Sequence, residues 1–192
     1  MNLGLNKKIV IFVSGSGSNM SNLIKNFKLQ NNIEVSGVFS NKQSCLAIQN
    51  ARKDKIRTIT FTKNELDSEL VLNKLIDISP DLIVLAGFLL KIPESIVNAF
   101  PNKIINVHPA LLPNYGGKGM YGTNVHKAVI EAKEKKSGIT FHYVNEHYDE
   151  GNIIAQFECD LSENETLEEL QQKIHLLEYA NFPNVIKNTL FK

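Results

Sequence analysis

Four short apolar runs, rich in valine and isoleucine, constrain the fold of this chain more than any other feature. They cover residues 8–13, 35–40, 82–86 and 104–107. Such nearly continuous runs are typical of strands that are buried on both faces of a parallel sheet. Apolar residues at helical spacing occupy the intervening stretches 19–29, 66–78 and 93–99. This βαβα order predicts right-handed crossovers and a doubly wound sheet.

The pattern changes after Ile139. Residues 138–144 and 153–158 alternate polar with apolar side chains on either side of a turn, which predicts an antiparallel pair that extends the sheet. Residues 162–165 match a capping box, so we expect a long terminal helix from there to about Leu190, interrupted at Pro183. The predicted fold class is therefore α/β: a Rossmann-like, doubly wound, mainly parallel sheet with an antiparallel C-terminal extension and a long terminal helix.

The length and composition indicate a single compact domain over residues 1–192. A net charge of +1 and a pI of about 7.8 give no sign of a nucleic-acid or membrane surface. Two distant cysteines, Cys45 and Cys159, indicate a reducing compartment, with one disulfide as the alternative. The polar opening segment 1–8 has no signal-peptide pattern, and no apolar run approaches a membrane span, so we expect a cytoplasmic protein.

Polar side chains occur at the end of the fourth apolar run, where the predicted strand ends. Asn106 and His108 lie at this carboxyl end, where open α/β sheets place their ligand sites, and Asp149 lies on the later acidic turn 148–151. An amide, an imidazole and an orienting carboxylate suit chemistry at a carbonyl carbon. The alternative interpretation is a hydrogen-bonded histidine at a strand end and an ordinary turn.

A glycine-rich loop at residues 15–19 lies between the first strand and the first helix. Met20 replaces the third glycine of the dinucleotide fingerprint, and the second strand ends without an acidic residue for a ribose. No Gly-Lys-Ser/Thr follows, which excludes a Walker A motif. The remaining interpretations are a helix N-terminus that binds a phosphate monoester, helped by Ser18 and Asn19, or a simple helix cap.

Several segments together resemble the formyltetrahydrofolate-dependent transferases. Residues 106–113, Asn-Val-His-Pro-Ala-Leu-Leu-Pro, resemble the family signature N-(I/V)-H-P-S-L-L-P, and residues 80–88 look like the strand that precedes it. Residues 13–19 are similar to the loop with which one member of the family holds a ribose phosphate. The resemblance runs from about Lys8 to Pro183, nearly the whole chain.

This resemblance implies transfer of a formyl group from 10-formyltetrahydrofolate to the amine of phosphoribosylglycinamide in purine (IMP) biosynthesis. The folate would be a cosubstrate, with no tightly bound cofactor, no nucleic-acid or membrane partner, and a monomer or homodimer as the working form. Protonated His108 and Asn106 would stabilise the oxyanion, and Asp149 would favour the imidazolium. The alternatives are a formyltetrahydrofolate hydrolase, a formyltransferase acting on another amine such as that of initiator tRNA, and a non-catalytic folate-binding module.

The family's binding residues carry over to matching positions of this chain. For phosphoribosylglycinamide they are Gly17, Ser18, Asn19, His175 and Glu178. For the folate they are Leu89, Leu90, Lys91, Ile92, Asn106, Asn145, Glu146, His147, Tyr148 and Asp149, with Thr140 and His142 in support.

This chain departs from the family pattern at three places. Leu90 occupies the position of a basic residue that often lines the folate pocket, and Lys91 follows it as a candidate replacement. Tyr179 replaces a histidine that is usual beside the ribotide glutamate. The chain also inserts Gly-Gly-Lys-Gly-Met-Tyr-Gly at residues 116–122, a loop that could reshape the rim of the cleft.

The histidines allow a metal site as a further hypothesis, since His108, His142, His147 and Asp149 could in principle converge. They lack the His-x-x-x-His spacing of a helical metal site, so we predict no metal. His126, in an amphipathic stretch, is interpreted as structural.

Overall fold

The computed structural model describes residues 6–30 and 32–192, so most of the opening segment 1–8 lies outside the described residues. The described residues form a seven-stranded sheet in the order β3-β2-β1-β4-β5-β6-β7. Strands β1 to β5 pair in parallel, whereas β6 and β7 are antiparallel. This confirms the predicted fold class. The strands are β1 Lys7–Val13, β2 Ile33–Ser40, β3 Thr58–Thr60, β4 Leu82–Leu85, β5 Ile104–His108, β6 Lys136–Tyr143 and β7 Ile153–Asp160.

Helices cover both faces of the parallel part of this sheet, so its central strands β1 and β4 are largely apolar. In β1, Ile9 and Ile11 pack into one apolar cluster, and Val10 and Phe12 pack into the cluster on the opposite face. The first cluster includes buried residues of α1, α2, α6 and α7, and the second includes those of α3, α4 and α5. The helices are α1 Ser18–Lys28, α2 Leu46–Lys53, α3 Lys63–Asp67, α4 Glu69–Ile78, α5 Glu94–Ala99, α6 Thr123–Glu131 and α7 Leu167–Leu190.

Two short elements, α2 and β3, were not predicted, because eight and three residues are too few for a clear periodicity. The predicted helix 66–78 is wrong at its start, since the chain forms two helices there. Ser68 is extended between α3 and α4, and its hydroxyl accepts from the Leu70 N–H to cap α4.

The start of the terminal helix also differs from the prediction. Glu165 does accept from the N–H and hydroxyl of Ser162, but these contacts close a turn. The helix begins at Leu167, after a second capping box between Thr166 and Glu169 that satisfies the first free amides.

The predicted interruption at Pro183 is wrong, because α7 continues to Leu190. Proline cannot donate to the carbonyl four residues earlier, which belongs to Tyr179. That carbonyl instead accepts from the Asn22 side-chain amide of α1 at 3.0 Å. The lost helical hydrogen bond is thus replaced by a contact between helices.

Both cysteines are free thiols, so the disulfide alternative is wrong. Among the described residues, none of the helices combines the length and apolar character that crossing a bilayer requires.

Candidate active site

A cavity of about 700 Å³ opens where β1, β4 and β5 reach their carboxyl ends. Parallel strands end at a common edge, so the loops that follow them meet there. The cavity is lined by parts of the glycine loop 15–19, the segment 85–92, the strand end 106–109, the loop 117–123, the segment 144–149 that leads into the acidic turn, and helix α7. Residues that are far apart in the sequence therefore share one space.

Asn106 is held beside His142 on the neighbouring strand. The Nδ1–H of His142 donates to the Tyr143 carbonyl at 2.8 Å, which leaves Nε2 as an acceptor. The Asn106 amide donates one of its two N–H groups to this nitrogen at 3.1 Å. The second N–H of Asn106 is left for a ligand.

His108 is buried, with an exposed fraction of 3%. Its Nε2–H donates to the Tyr115 carbonyl at 2.8 Å, and its Nδ1 lies 3.5 Å from Asp149 Oδ2. Burial lowers the pKa of His108 below its usual value, although the Asp149 charge and the Tyr115 contact act in the opposite direction. The lowered pKa favours a neutral ring in the unliganded site, because burial outweighs the attraction of the carboxylate.

Asp149 adopts a left-handed backbone conformation at the acidic turn, with φ at 58°. Its Oδ2 accepts from the Gly117 N–H at 2.9 Å, and its Oδ1 lies 3.6 Å from His142 Nε2. Burial favours the neutral carboxyl, yet His142, His108 and the Gly117 amide together outweigh it and hold the pKa of Asp149 below its usual value. Asp149 is therefore ionised next to a neutral His108.

One end of the cavity is formed by the start of α1. Gly17 precedes this helix with φ at 74°, a conformation that favours glycine, and a Cβ there would meet Ala47 Cβ at 2.5 Å. Residues 15–19 line the cavity where α1 begins, and Gly17 has no side chain to cap this helix, so its first amides suit an anion site.

Helix α7 completes this end of the cavity. The buried Asn19 amide donates to Glu178 Oε2 at 2.8 Å, and His175 Nδ1 lies 3.9 Å from the same oxygen. Burial raises the pKa of Glu178, and the hydrogen bond from Asn19 opposes that effect. The predicted ribotide residues Gly17, Ser18, Asn19, His175 and Glu178 thus lie together, with the Asn19 amide already engaged by Glu178.

The opposite end of the cavity contains the predicted folate segment. Leu89, Leu90, Lys91 and Ile92 all line it, and the Lys91 ammonium lies 5.6 Å from the ring centroid of Tyr148. Asn145, His147, Tyr148 and Asp149 line it as well. Glu146 lies outside the cavity, with its carboxylate 3.6 Å from His147 Nε2 at the surface.

Thr140 also lies outside the cavity, but it holds the chain beyond His108. Its buried hydroxyl donates to the Ala110 carbonyl at 2.7 Å and accepts from the Leu112 N–H at 3.0 Å. Gln156 donates to the same oxygen at 2.9 Å. Thr140 thus fixes the segment 110–112 that follows His108, and its supporting role in the reaction stays a prediction.

The chain matches the formyl transferase family model over residues 7–186. The chain belongs to the formyl transferase family. It is 40% identical to the chloroplastic phosphoribosylglycinamide formyltransferase of Arabidopsis thaliana over 94% of this chain, but spans only 64% of that relative. It is 33% identical to phosphoribosylglycinamide formyltransferase of Bacillus subtilis, covering 96% of this chain and 95% of the relative.

Solved structures of formyl transferases agree with this membership. The crystal structure of phosphoribosylglycinamide formyltransferase from Bacillus halodurans superposes with a TM-score of 0.88 at 30% identity, over 97% of this chain and 96% of that one. The enzyme from Anaplasma phagocytophilum gives 0.86 at 32% identity, over 95% and 86%. The family resemblance predicted from the motifs is thereby confirmed.

Within the described part of this formyl transferase, no group of three or more histidine, cysteine, aspartate or glutamate side chains has the arrangement of a metal site. His108 and His142 do converge on Asp149, but His147 is exposed and pairs with Glu146.

The sequence interpretation missed three contributors to the site. The Tyr115 carbonyl lies directly before the glycine-rich segment 116–122 and the Gly117 amide lies within it, and no side-chain pattern reveals these backbone groups. His126 was interpreted as structural, yet it lines the cavity with 7% of its surface exposed. Its place between Val125 and Val129, both buried on α6, was the available signal of a polar group on an apolar helix face.

Proposed function

We propose that this chain transfers the formyl group of 10-formyltetrahydrofolate to the amine of phosphoribosylglycinamide, a step of purine biosynthesis. The proposal is supported by relatives that are named phosphoribosylglycinamide formyltransferases and that align with most of this chain. The observation that carries it is the convergence of Asn106, His108 and Asp149 between the two ends of one cavity.

The two ends of the cavity suit different ligands. The amides at the start of α1 suit the ribose phosphate, because a helix N-terminus favours an anion, and Glu178 on α7 suits the glycinamide. Residues 89–92 and the acidic turn offer the largely apolar surface that a folate ring needs. The attacking amine and the formyl carbon would then meet beside His108.

The reaction needs a stabilised oxyanion and one moved proton. The amine attacks the formyl carbon, and the free N–H of Asn106 donates to the oxygen as it becomes negative. The Nε2–H of His108 is held by the Tyr115 carbonyl before the ligands enter, so the formyl oxygen must replace that carbonyl to accept from it.

The proton leaves the attacking nitrogen as the new C–N bond forms. Ionised Asp149 and neutral His108 together accept this proton. A proton on His108 Nδ1 would lie between the imidazole ring and Asp149 Oδ2, so the carboxylate would stabilise it. The bond from the formyl carbon to the folate nitrogen then breaks, and that nitrogen receives the proton. The products are formylated ribotide and tetrahydrofolate.

We further propose that the working unit is a single domain over residues 1–192, active in the cytoplasm as a monomer or homodimer. Two plant relatives are chloroplastic, so subcellular fractionation of the native host, read with an antibody to the chain, tests the location.

The direct test of the function measures tetrahydrofolate formed from 10-formyltetrahydrofolate, with and without phosphoribosylglycinamide. Product formation that depends on the ribotide supports the transferase. Equal rates without it favour the hydrolase alternative, and folate binding with no turnover in either condition favours a binding module.

A further inference from the structure

His126 has a buried imidazole ring to which the proposed mechanism assigns no role. It lies in the first turn of α6, directly after the glycine-rich loop, and it lines the same cavity as His108. Only 7% of its surface is exposed. A polar ring so deeply buried normally has partners for both nitrogens.

Its two nitrogens differ in their surroundings. Nδ1 is fully buried and makes no hydrogen bond with any described residue. Nε2 also has no partner among them, but it is not among the buried atoms, so it is the nitrogen that keeps access to the cavity. A buried N–H without an acceptor is unfavourable, so the proton belongs on Nε2, where a ligand or solvent can accept it.

His126 is also neutral. Burial lowers the pKa of His126, and the neighbouring His108 lowers it further. A neutral ring with its proton on Nε2 offers the cavity one N–H donor and no charge. By contrast, both nitrogens of His108 already face protein groups, the Tyr115 carbonyl and Asp149. His126 therefore supplies an imidazole N–H that no described residue engages.

The packing of α6 places this donor on the ribotide side. Val129 of the same helix belongs to the apolar cluster that contains Met20 of α1 and Ile174 of α7. The folate segment packs on the opposite face of the sheet, where Phe88 and Ile92 belong to the other cluster. The helices on the side of His126 are thus those that form the proposed ribotide end.

We propose that His126 is a substrate-contacting residue, whose Nε2–H donates to an oxygen of the ribotide between its phosphate and its amine. An oxygen is the required partner, because a donor needs an acceptor and the amine lone pair is committed to attack on the formyl carbon. This contact rests on the proposed function, since it assumes a ribotide in this end of the cavity.

Two substitutions at His126 distinguish the contribution of the N–H donor from that of the bulk of the ring. His126→Leu removes the N–H and keeps an apolar side chain of similar bulk. His126→Gln keeps an amide N–H near the reach of Nε2. Calorimetric titration of each variant with phosphoribosylglycinamide alone and with a non-reactive folate analogue measures the two affinities without turnover.

We expect His126→Leu to weaken ribotide binding about tenfold, the usual effect of one lost hydrogen bond, and to leave folate affinity within about twofold. His126→Gln should recover most of the ribotide affinity. Unchanged ribotide affinity in His126→Leu, or a loss confined to the folate, would overturn the contact. A general loss of both affinities with no recovery in His126→Gln would likewise overturn it in favour of a structural role. Wild-type protein that binds no ribotide would overturn the proposed function as well.

Discussion

The backbone N–H of Gly117 donates to Asp149 Oδ2 at 2.9 Å, which joins the loop at residues 115–122 to the carboxylate that we propose to be catalytic. Two residues earlier, the Tyr115 carbonyl accepts from His108 Nε2. The loop therefore holds both members of the His108–Asp149 pair. Gly116 permits this close approach, since a Cβ there would lie 2.6 Å from Leu112 Cδ2 and 3.3 Å from Asp149 Cβ.

Gly116→Ala should push the loop away from Asp149 and remove the Gly117 hydrogen bond. That bond helps to keep the pKa of Asp149 low, so its loss raises this pKa. Because the ionised carboxylate is the active form, activity should begin to fall at a higher pH than in the wild type as the solution is acidified. A displacement of a catalytic group by about 1 Å typically lowers kcat by about ten- to a hundredfold.

The pH–rate profile of this variant is the measurement, and Gly119→Ala is its matched control. Gly119 lies in the same loop with φ at 92°, and a Cβ there meets nothing within 4 Å. Substitution at Gly119 therefore strains the loop without displacing Asp149. If both variants show the wild-type acid limb, the loop does not position the carboxylate.

His108→Ala, Asn106→Ala and Asp149→Asn should each lower kcat at least about a hundredfold, as expected for acid–base and oxyanion groups. Because the groups act as a unit, the double variant of His108 and Asp149 should be far less impaired than the product of the single effects. Circular dichroism and thermal unfolding check that the fold survives. Near wild-type turnover in the His108 or Asp149 variant contradicts the mechanism.

Gly17→Val should raise the ribotide KM about tenfold or more, the scale of one lost charge-assisted hydrogen bond, and leave folate binding nearly unchanged. The added side chain would meet Ala47 and strain a left-handed backbone, so the start of α1 shifts. Gly15→Ala is the control, because a Cβ at Gly15 meets nothing within 4 Å. A folate-specific loss in Gly17→Val would assign this loop to the other ligand.

A dephosphorylated ribotide should be a poor substrate of the wild-type enzyme. The amides at the start of α1 stabilise a phosphate dianion, and a free hydroxyl offers them much weaker attraction. The measurement compares kcat/KM for the two substrates. Equal kcat/KM values for the two substrates would contradict phosphate binding at this end of the cavity.

Exhaustive chelation should leave activity unchanged, because the proposed chemistry uses protein hydrogen bonds and a carboxylate. The assay measures tetrahydrofolate formation before and after dialysis against a chelator. Loss of activity that added zinc restores would instead favour a metal-dependent hydrolase.

The sequence predicted the sheet well, since strands such as 8–13 and 104–107 are apolar on both faces and leave little alternative. It predicted the continuity of α7 less well, because the helical hydrogen bond that Pro183 removes is replaced by the contact between Asn22 and the Tyr179 carbonyl. That contact joins two helices that are distant in the sequence, so no local pattern encodes it.

The candidate site, like the fold, was predicted only in part from the sequence. Asn106 and His108 are recognisable because they lie at the carboxyl end of a buried strand. The protonation state of His108 is not recognisable from the sequence. It depends on a balance between burial and the Asp149 charge, which only the packed structure sets. The backbone contacts of Tyr115 and Gly117 depend on loop geometry, and His126 depends on the rotation of α6.

The most direct test of the central claim follows the formyl carbon itself. The enzyme is mixed with 10-formyltetrahydrofolate labelled with carbon-13 at the formyl group and with phosphoribosylglycinamide, and carbon-13 NMR identifies the product that carries the label. We predict that the label appears in the formamide of the ribotide with wild-type enzyme, at a rate at least about a hundredfold higher than with His108→Ala. Label that appears as free formate, or at equal rates in both proteins, would contradict the account.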